Sequence, residues 1–219
     1  MAFCLNNALS ELNQITMSPG TLYIVSAPSG AGKTSLLKAV RSQLEDLKVA
    51  VSHTTRNPRP GEINGEHYYF VSMEEFKIIE KDGNFIEFAE VFGNFYGTSK
   101  KSVNDLIEAG NSVVLEIDWQ GAQQVRKIYP QSVSIFILPP SVSELEKRLT
   151  ARGQDSKEII QGRMDQAQSE ISHYDEYQYL IINDDLDEAI EALTNVFTQP
   201  DKCLPPSQDK LNQLLSPMN

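Results

Sequence analysis

A lysine and a threonine close a glycine-rich run, Ser26-Ala27-Pro28-Ser29-Gly30-Ala31-Gly32-Lys33-Thr34, and their spacing implies phosphate chemistry. The run follows a short apolar stretch, Leu22-Tyr23-Ile24-Val25, and precedes a helical pattern with Leu36, Leu37, Val40, Leu44 and Leu47 on one side. Strand, loop and helix in that order are the setting of a phosphate-binding loop, or P-loop. Gly30 and Gly32 allow successive N–H groups to turn inward on a phosphate, and the helix N-terminus adds partial positive charge. Lys33 can span the β- and γ-phosphates, and the Thr34 hydroxyl can ligate Mg²⁺. The candidate triphosphate site is therefore Ala27, Pro28, Ser29, Gly30, Ala31, Gly32, Lys33, Thr34 and Ser35, with Ala27 where the usual pattern begins with glycine. The absence of a third glycine and the presence of Lys33 exclude a dinucleotide fingerprint.

A triphosphate loop does not name the acceptor. Arg56 and Arg59 lie three residues apart in Ser52-His53-Thr54-Thr55-Arg56-Asn57-Pro58-Arg59-Pro60-Gly61-Glu62, where the prolines restrict the backbone. Two converging guanidinium forks suit a phosphate dianion better than lysine would. Tyr68 and Tyr96 offer phenols, Thr98 a hydroxyl and Glu87 a carboxylate. The set fits a monophosphate attached to a base.

Glu116 and Asp118 alternate with Ile117 at the end of an apolar run, which turns both carboxylates toward the mouth of a sheet. They could hold the water shell of Mg²⁺ or orient the acceptor-site arginines, and Asp118 is the stronger candidate. Arg148 and Arg152, four apart, would share a helix face, and Arg163 follows on the next helix. These three flank a Gly153-Gln154-Asp155 turn and form a charge cluster suited to closing on a triphosphate. A phosphate acceptor is already ionised and needs no general base, so His53 is assigned a structural role.

The elements that must position these residues alternate. Ser112 to Ile117, Ser134 to Leu138 and Tyr179 to Ile182 are further strand-like runs, and helices fill the gaps. Capping-box signatures open two of them, at Ser72 to Glu75 and Ser141 to Glu144, and Asp184 is expected to cap the last. Such alternation predicts an α/β fold, a parallel sheet with helices on both faces. Residues 52–98, rich in Tyr, Phe and Gly with strand-like pieces at Tyr68 to Val71 and Phe85 to Val91, read as an inserted α+β subdomain. The core then comprises 19–51 and 99–198, with a small helical lid at about 140–170. Residues 1–18 read as a dispensable extension and 199–219, with four prolines, as a loose tail.

Of the 219 residues, 19 are Lys or Arg and 30 Asp or Glu, a formal net charge of -11, the reverse of a duplex nucleic-acid binder. No apolar run reaches the ~20 residues that span a membrane. The two cysteines, Cys4 and Cys203, show neither a pairing pattern nor metal-ligand spacing, which points to a cytoplasmic chain.

With these motifs the chain resembles the guanylate kinases from about Gly20 to Phe197. The resemblance is carried by the P-loop, Ser52 to Glu62, Phe85-Ile86-Glu87, Asn94 to Thr98, Glu116-Ile117-Asp118-Trp119-Gln120-Gly121, Arg148 to Gly153 and Asn183 to Leu186. It implies ATP and GMP as substrates, with dGMP a further acceptor, and Mg²⁺ as the ion accompanying ATP. It also implies a P-loop core, a subdomain for the nucleoside monophosphate and a closing lid. Residue by residue, it assigns Arg56, Arg59, Tyr68 and Tyr96 to the GMP phosphate, Ser52, Glu87 and Thr98 to the guanine, and Asn183 and Asp184 to the border of the adenine. Guanine offers N1–H and a 2-amino group as donors and O6 as an acceptor, matching an ionised Glu87 and the Thr98 hydroxyl. Adenine would leave a buried carboxylate unpaired.

Two alternatives stay open: a silent peptide-binding module on the same fold, and a kinase of another phosphorylated acceptor such as a sugar bisphosphate. Retention of Lys33, Thr34, Arg152 and Arg163 speaks against the first, and Glu87 with Thr98 against the second. The oligomeric state is left open, a homodimer included.

Overall fold

In the computed structural model, which describes residues 20–91, 93–151 and 157–216, the chain begins with β1 (Leu22–Ser26), α1 (Lys33–Arg41) and β2 (Leu47–Val49). An inserted section follows: β3 (His53–Thr54), β4 (Tyr69–Phe70), α2 (Met73–Lys81), β5 (Phe85–Val91) and β6 (Asn94–Ser99). The chain returns through α3 (Lys100–Glu108), β7 (Ser112–Glu116), α4 (Trp119–Ile128), β8 (Val133–Leu138), α5 (Val142–Ala151) and α6 (Lys157–Ile171). It ends with β9 (Tyr179–Ile182), α7 (Leu186–Thr198) and α8 (Gln208–Leu215).

The apolar runs form a parallel sheet in the order β2-β7-β1-β8-β9, as their alternation with helices predicts. Strand β1, in the middle, is buried on both faces. Its side chains alternate between two cores: Leu22 and Ile24 face the α3, α4, α5 and α6 side, whereas Tyr23 and Val25 face α1 and α7. Leu36, Leu37 and Val40 of α1 are almost completely excluded from solvent, each worth roughly 1.5–3 kcal/mol. Tyr23 meets Phe197 of α7 edge-on at 4.7 Å and locks that layer.

The inserted section is a second sheet, β4-β3-β6-β5, crossed by α2. Ser72 and Glu75 complete the capping box expected there, each satisfying the other's backbone N–H. Phe76 of α2 is fully buried, its ring 4.6 Å from Phe85 and 5.5 Å from Phe95. Gly97 makes room for that aromatic layer, since a Cβ there would lie 3.1 Å from the Phe76 and Phe85 rings.

Three local expectations are corrected. Helix α1 stops at Arg41, and Leu47 starts β2, because the apolar spacing of Leu44 and Leu47 continues across a turn and is not itself helical. Asp185, not Asp184, caps α7, its carboxylate accepting from the Asp187 and Glu188 N–H groups. The stretch read as a loose tail carries α8, capped by Ser207, with Leu211 and Leu214 buried in the core on the α3 to α6 side. The extension 1–18 and the expected lid turn Gly153-Gln154-Asp155, with Arg152, lie outside the described residues. Among the described residues no helix is long and apolar enough to cross a membrane.

Candidate active site

The loop between β1 and α1 takes the conformation its glycines permit. Gly30 and Gly32 have φ of +94° and +92°, a region closed to most side chains. No side chain caps α1 at Gly32, so its first N–H groups face the cavity mouth as an anion site. Asn183, expected at the adenine border, donates from Nδ2 to the Ala31 carbonyl at 2.7 Å and buttresses the loop from behind.

One cavity of about 320 Å³ brings the two predicted half-sites together. Ala27, Pro28, Ser29, Gly30, Gly32, Lys33, Thr34 and Ser35 line it on the core side. Ser52, Arg59, Tyr68, Glu87 and Tyr96 line it from the inserted sheet, with Glu116, Ile117 and Asp118 between them. Ala31 is fully buried within the loop and is not part of the wall.

Glu87 comes from β5, where the register with β6 shifts between Phe85 and Glu87 and re-aims its side chain. Glu87 is 3% exposed. Burial pushes its pKa up to about 7, with Thr98 pulling the other way through a hydrogen bond. The Thr98 hydroxyl also lies 2.9 Å from that of Ser52, joining three predicted base-site residues in one polar group.

The two arginines part company. Arg59 lines the cavity, but Arg56 donates from Nη2 to Glu62 at 2.8 Å and from Nη1 to the Asn57 carbonyl at 2.7 Å. Its guanidinium lies 5.5 Å from the Tyr68 ring centre and 5.8 Å from that of Phe70. Glu62, six residues away, is the anion that pairs with Arg56 here. Glu62 also accepts from the Arg59 N–H at 2.7 Å, and the Arg56 hydrogen bond holds its carboxyl below the usual range.

Asp118 is the N-cap of α4, accepting from the Gly121 N–H at 2.8 Å. Burial raises its pKa, opposed by that N–H and by Lys33. Glu116 ends β7 beside it on the cavity wall. Arg148 pairs with Glu144 at 3.3 Å and reaches the Asn183 carbonyl at 3.3 Å, so it faces the rear of the loop and not the cavity. Arg163 is half-buried on α6 and does not line the cavity, and Asp184 is exposed. His53 lies against Tyr69 and Phe85 at 4.9 and 5.6 Å, and burial lowers its pKa.

Glu170 of α6 escaped the sequence reading. It lines the cavity near Lys33, and burial pushes its pKa up to about 7. Beside Ile171 on an amphipathic pattern it reads as a solvated helix residue. The only available signal is its position next to the buried stripe of Ile160, Met164, Ala167 and Ile171.

The donors around the loop, the Thr34 hydroxyl and the carboxylates of Glu116, Asp118 and Glu170, are all oxygen. No group of three or more His, Cys, Asp or Glu capable of holding a metal occurs among the described residues. The oxygen donor set of Thr34, Glu116, Asp118 and Glu170 suits a hard cation that shares its shell with water and phosphate oxygens.

A family model described as guanylate kinase matches residues 19–200. The guanylate kinase of Shewanella violacea is 60% identical over 178 residues, covering 81% of this chain and 86% of the relative. That of Salmonella typhimurium is 54% identical over 202 residues, covering 91% and 98%. The crystal structure of guanylate kinase from Anaplasma phagocytophilum superposes with a TM-score of 0.68 at 36% identity, covering 93% of this chain and 97% of that one.

Proposed function

The chain belongs to the guanylate kinase family and is an ATP:GMP phosphotransferase; from that premise we propose that the two ends of its cavity divide the substrates between them. ATP would lie with its triphosphate in the Gly30 to Ser35 loop, and GMP with its base on Glu87, Thr98 and Ser52. The observation that carries this reading is one cavity lined by loop residues on one side and by Ser52 and Glu87 on the other, with Thr98 bonded to Ser52 behind them.

The chemistry follows from the charges. A phosphate acceptor attacks as an anion, so transfer needs in-line positioning and positive charge, not a base. His53, held between two aromatic rings with its pKa lowered, fits that expectation. Lys33 would bridge the phosphates of ATP, and Arg59, Tyr68 and Tyr96 would hold the phosphate of GMP. Arg56 would join them by exchanging Glu62 for that phosphate, a short swing, since it already lies against Tyr68. Arg152 and Arg163 would bring the lid's charge onto the transferring group, and closure would exclude water. Thr34 and Asp118 would hold Mg²⁺, which when bound neutralises charge on the β- and γ-oxygens. Asn183 and Arg148 would act on ATP through the shape of the loop, and Asp184 at its adenine end. dGMP should serve as an acceptor too, because none of these assigned contacts requires the ribose 2′-hydroxyl.

A coupled assay of ADP formation with GMP, dGMP, AMP and ribose 5-phosphate tests the reading. Turnover with GMP and dGMP alone is expected. Turnover with AMP or the sugar phosphate at a comparable rate would contradict it.

A further inference from the structure

Strand β5 is an edge strand of the inserted sheet, so one side of its backbone has no partner strand. Such an edge leaves N–H and C=O groups to be satisfied otherwise. At Phe88 the core does so with a side chain. The Gln124 amide of α4 accepts from the Phe88 N–H at 3.1 Å and donates to the Phe88 carbonyl at 2.7 Å. A side chain here takes the place of a neighbouring strand, and it grips the residue directly after Glu87.

One turn earlier on the same helix, Gly121 meets Glu87 itself. A Cβ at Gly121 would lie 2.6 Å from Oε2 and 3.3 Å from Cδ of Glu87. Helix α4 thus approaches the buried carboxylate with bare backbone, while Gln124 fixes the strand that carries it. Asp118, three residues before Gly121, caps the same helix from the cavity wall. Two contacts from one rigid element are enough to set both the height and the orientation of the Glu87 side chain.

We propose that Gln124 and Gly121 are positioning residues for acceptor specificity, holding the Glu87 carboxylate at the depth where it reads the N1–H and 2-amino donors of guanine. The proposal rests on the reading of Glu87 as the base-recognising group. A merely structural clasp would stabilise the sheet without favouring one base. A positioning clasp acts through Glu87 and loses its effect when Glu87 is removed.

The test is a double-mutant cycle on the full chain, with GMP affinity measured by calorimetry and GMP, AMP and ATP kinetics by coupled assay. Gln124→Ala should weaken GMP binding and lower the GMP-to-AMP preference by about tenfold, with the KM for ATP unchanged. In a Glu87→Ala background the same substitution should change GMP affinity by less than about twofold. Gly121→Ala, which displaces the carboxylate directly, should reproduce the loss of preference and keeps the test open if Gln124→Ala does not fold. Equal losses in both backgrounds, or no change in preference with either substitution, would overturn the proposal. Glu87→Ala leaving the GMP-to-AMP preference intact would overturn the underlying reading of Glu87 as well, and the single variant alone reveals that result.

Discussion

The side-chain nitrogen of Asn183 occupies the space behind Gly32: a Cβ on that glycine would lie 2.3 Å from it. The same nitrogen donates to the Ala31 carbonyl at 2.7 Å. Residues 151 positions apart in the chain therefore fix the curvature of the phosphate loop, one by being absent beyond Cα and the other by filling the gap. Gly32→Ala must push Asn183 away and hold alanine at a φ near +92°, at a cost of roughly 1–3 kcal/mol. We expect a lower melting temperature and a KM for ATP raised at least about tenfold, with GMP affinity little changed, measured by thermal denaturation and steady-state kinetics.

Glu87→Gln keeps the shape of the base site and removes its charge. The GMP-to-AMP ratio of kcat/KM should fall by about a hundredfold or more, since polar sites discriminate on that scale or beyond. The comparison requires only the two acceptors at saturating ATP.

Arg59→Ala removes the guanidinium that lines the cavity and should raise the KM for GMP by about ten- to a hundredfold, leaving the KM for ATP unchanged. Lys33→Met should do the opposite, lowering kcat by about a hundredfold or more because its charge acts on the transferring group. Measuring kcat and both KM values for each variant separates the two roles.

The Glu87 carboxyl is raised from 4.5 to about 7, so the fold favours its neutral form. Its contribution to stability is present below its ordinary value and is lost as pH rises through about 7. Guanine, in contrast, needs the ionised form. GMP binding should therefore strengthen as pH rises through about 7 and release protons below it, and Glu87→Gln should remove this part of the dependence. Calorimetry in buffers of different ionisation enthalpy measures the protons directly. Glu170, also raised to about 7 by burial, adds to the loss of ligand-free stability in the same direction.

Short-range signals read well along this chain. The glycines and lysine of the loop, the β-branched strands and the Ser72 capping box each depend on a few neighbouring residues, and each appears where its sequence places it. What depends on distant partners did not read. Glu170 belongs to the cavity only because α6 returns to the loop, and nothing local distinguishes it from a solvated glutamate. Arg56 and Glu62 lie six residues apart in one motif, yet only the folded loop shows that the two side chains pair. The prolines near the C-terminus suggested a loose end, yet Leu211 and Leu214 are spaced to bury one face of α8 against the core. Gln124 carried no signal, and Gly121 stood out only as the end of the Glu116 to Gly121 motif with no role attached, because both roles are set by the approach of α4 to an edge strand.

The most direct measurement is a crystal structure of the protein with GMP and a non-hydrolysable ATP analogue bound together. The guanine N1–H and 2-amino group should lie within hydrogen-bonding distance of the Glu87 carboxylate, with Arg56 released from Glu62 onto the GMP phosphate and the triphosphate in the Gly30 to Ser35 loop. A guanine seated away from Glu87, or GMP bound in the P-loop with no second nucleotide site, would contradict the assignment.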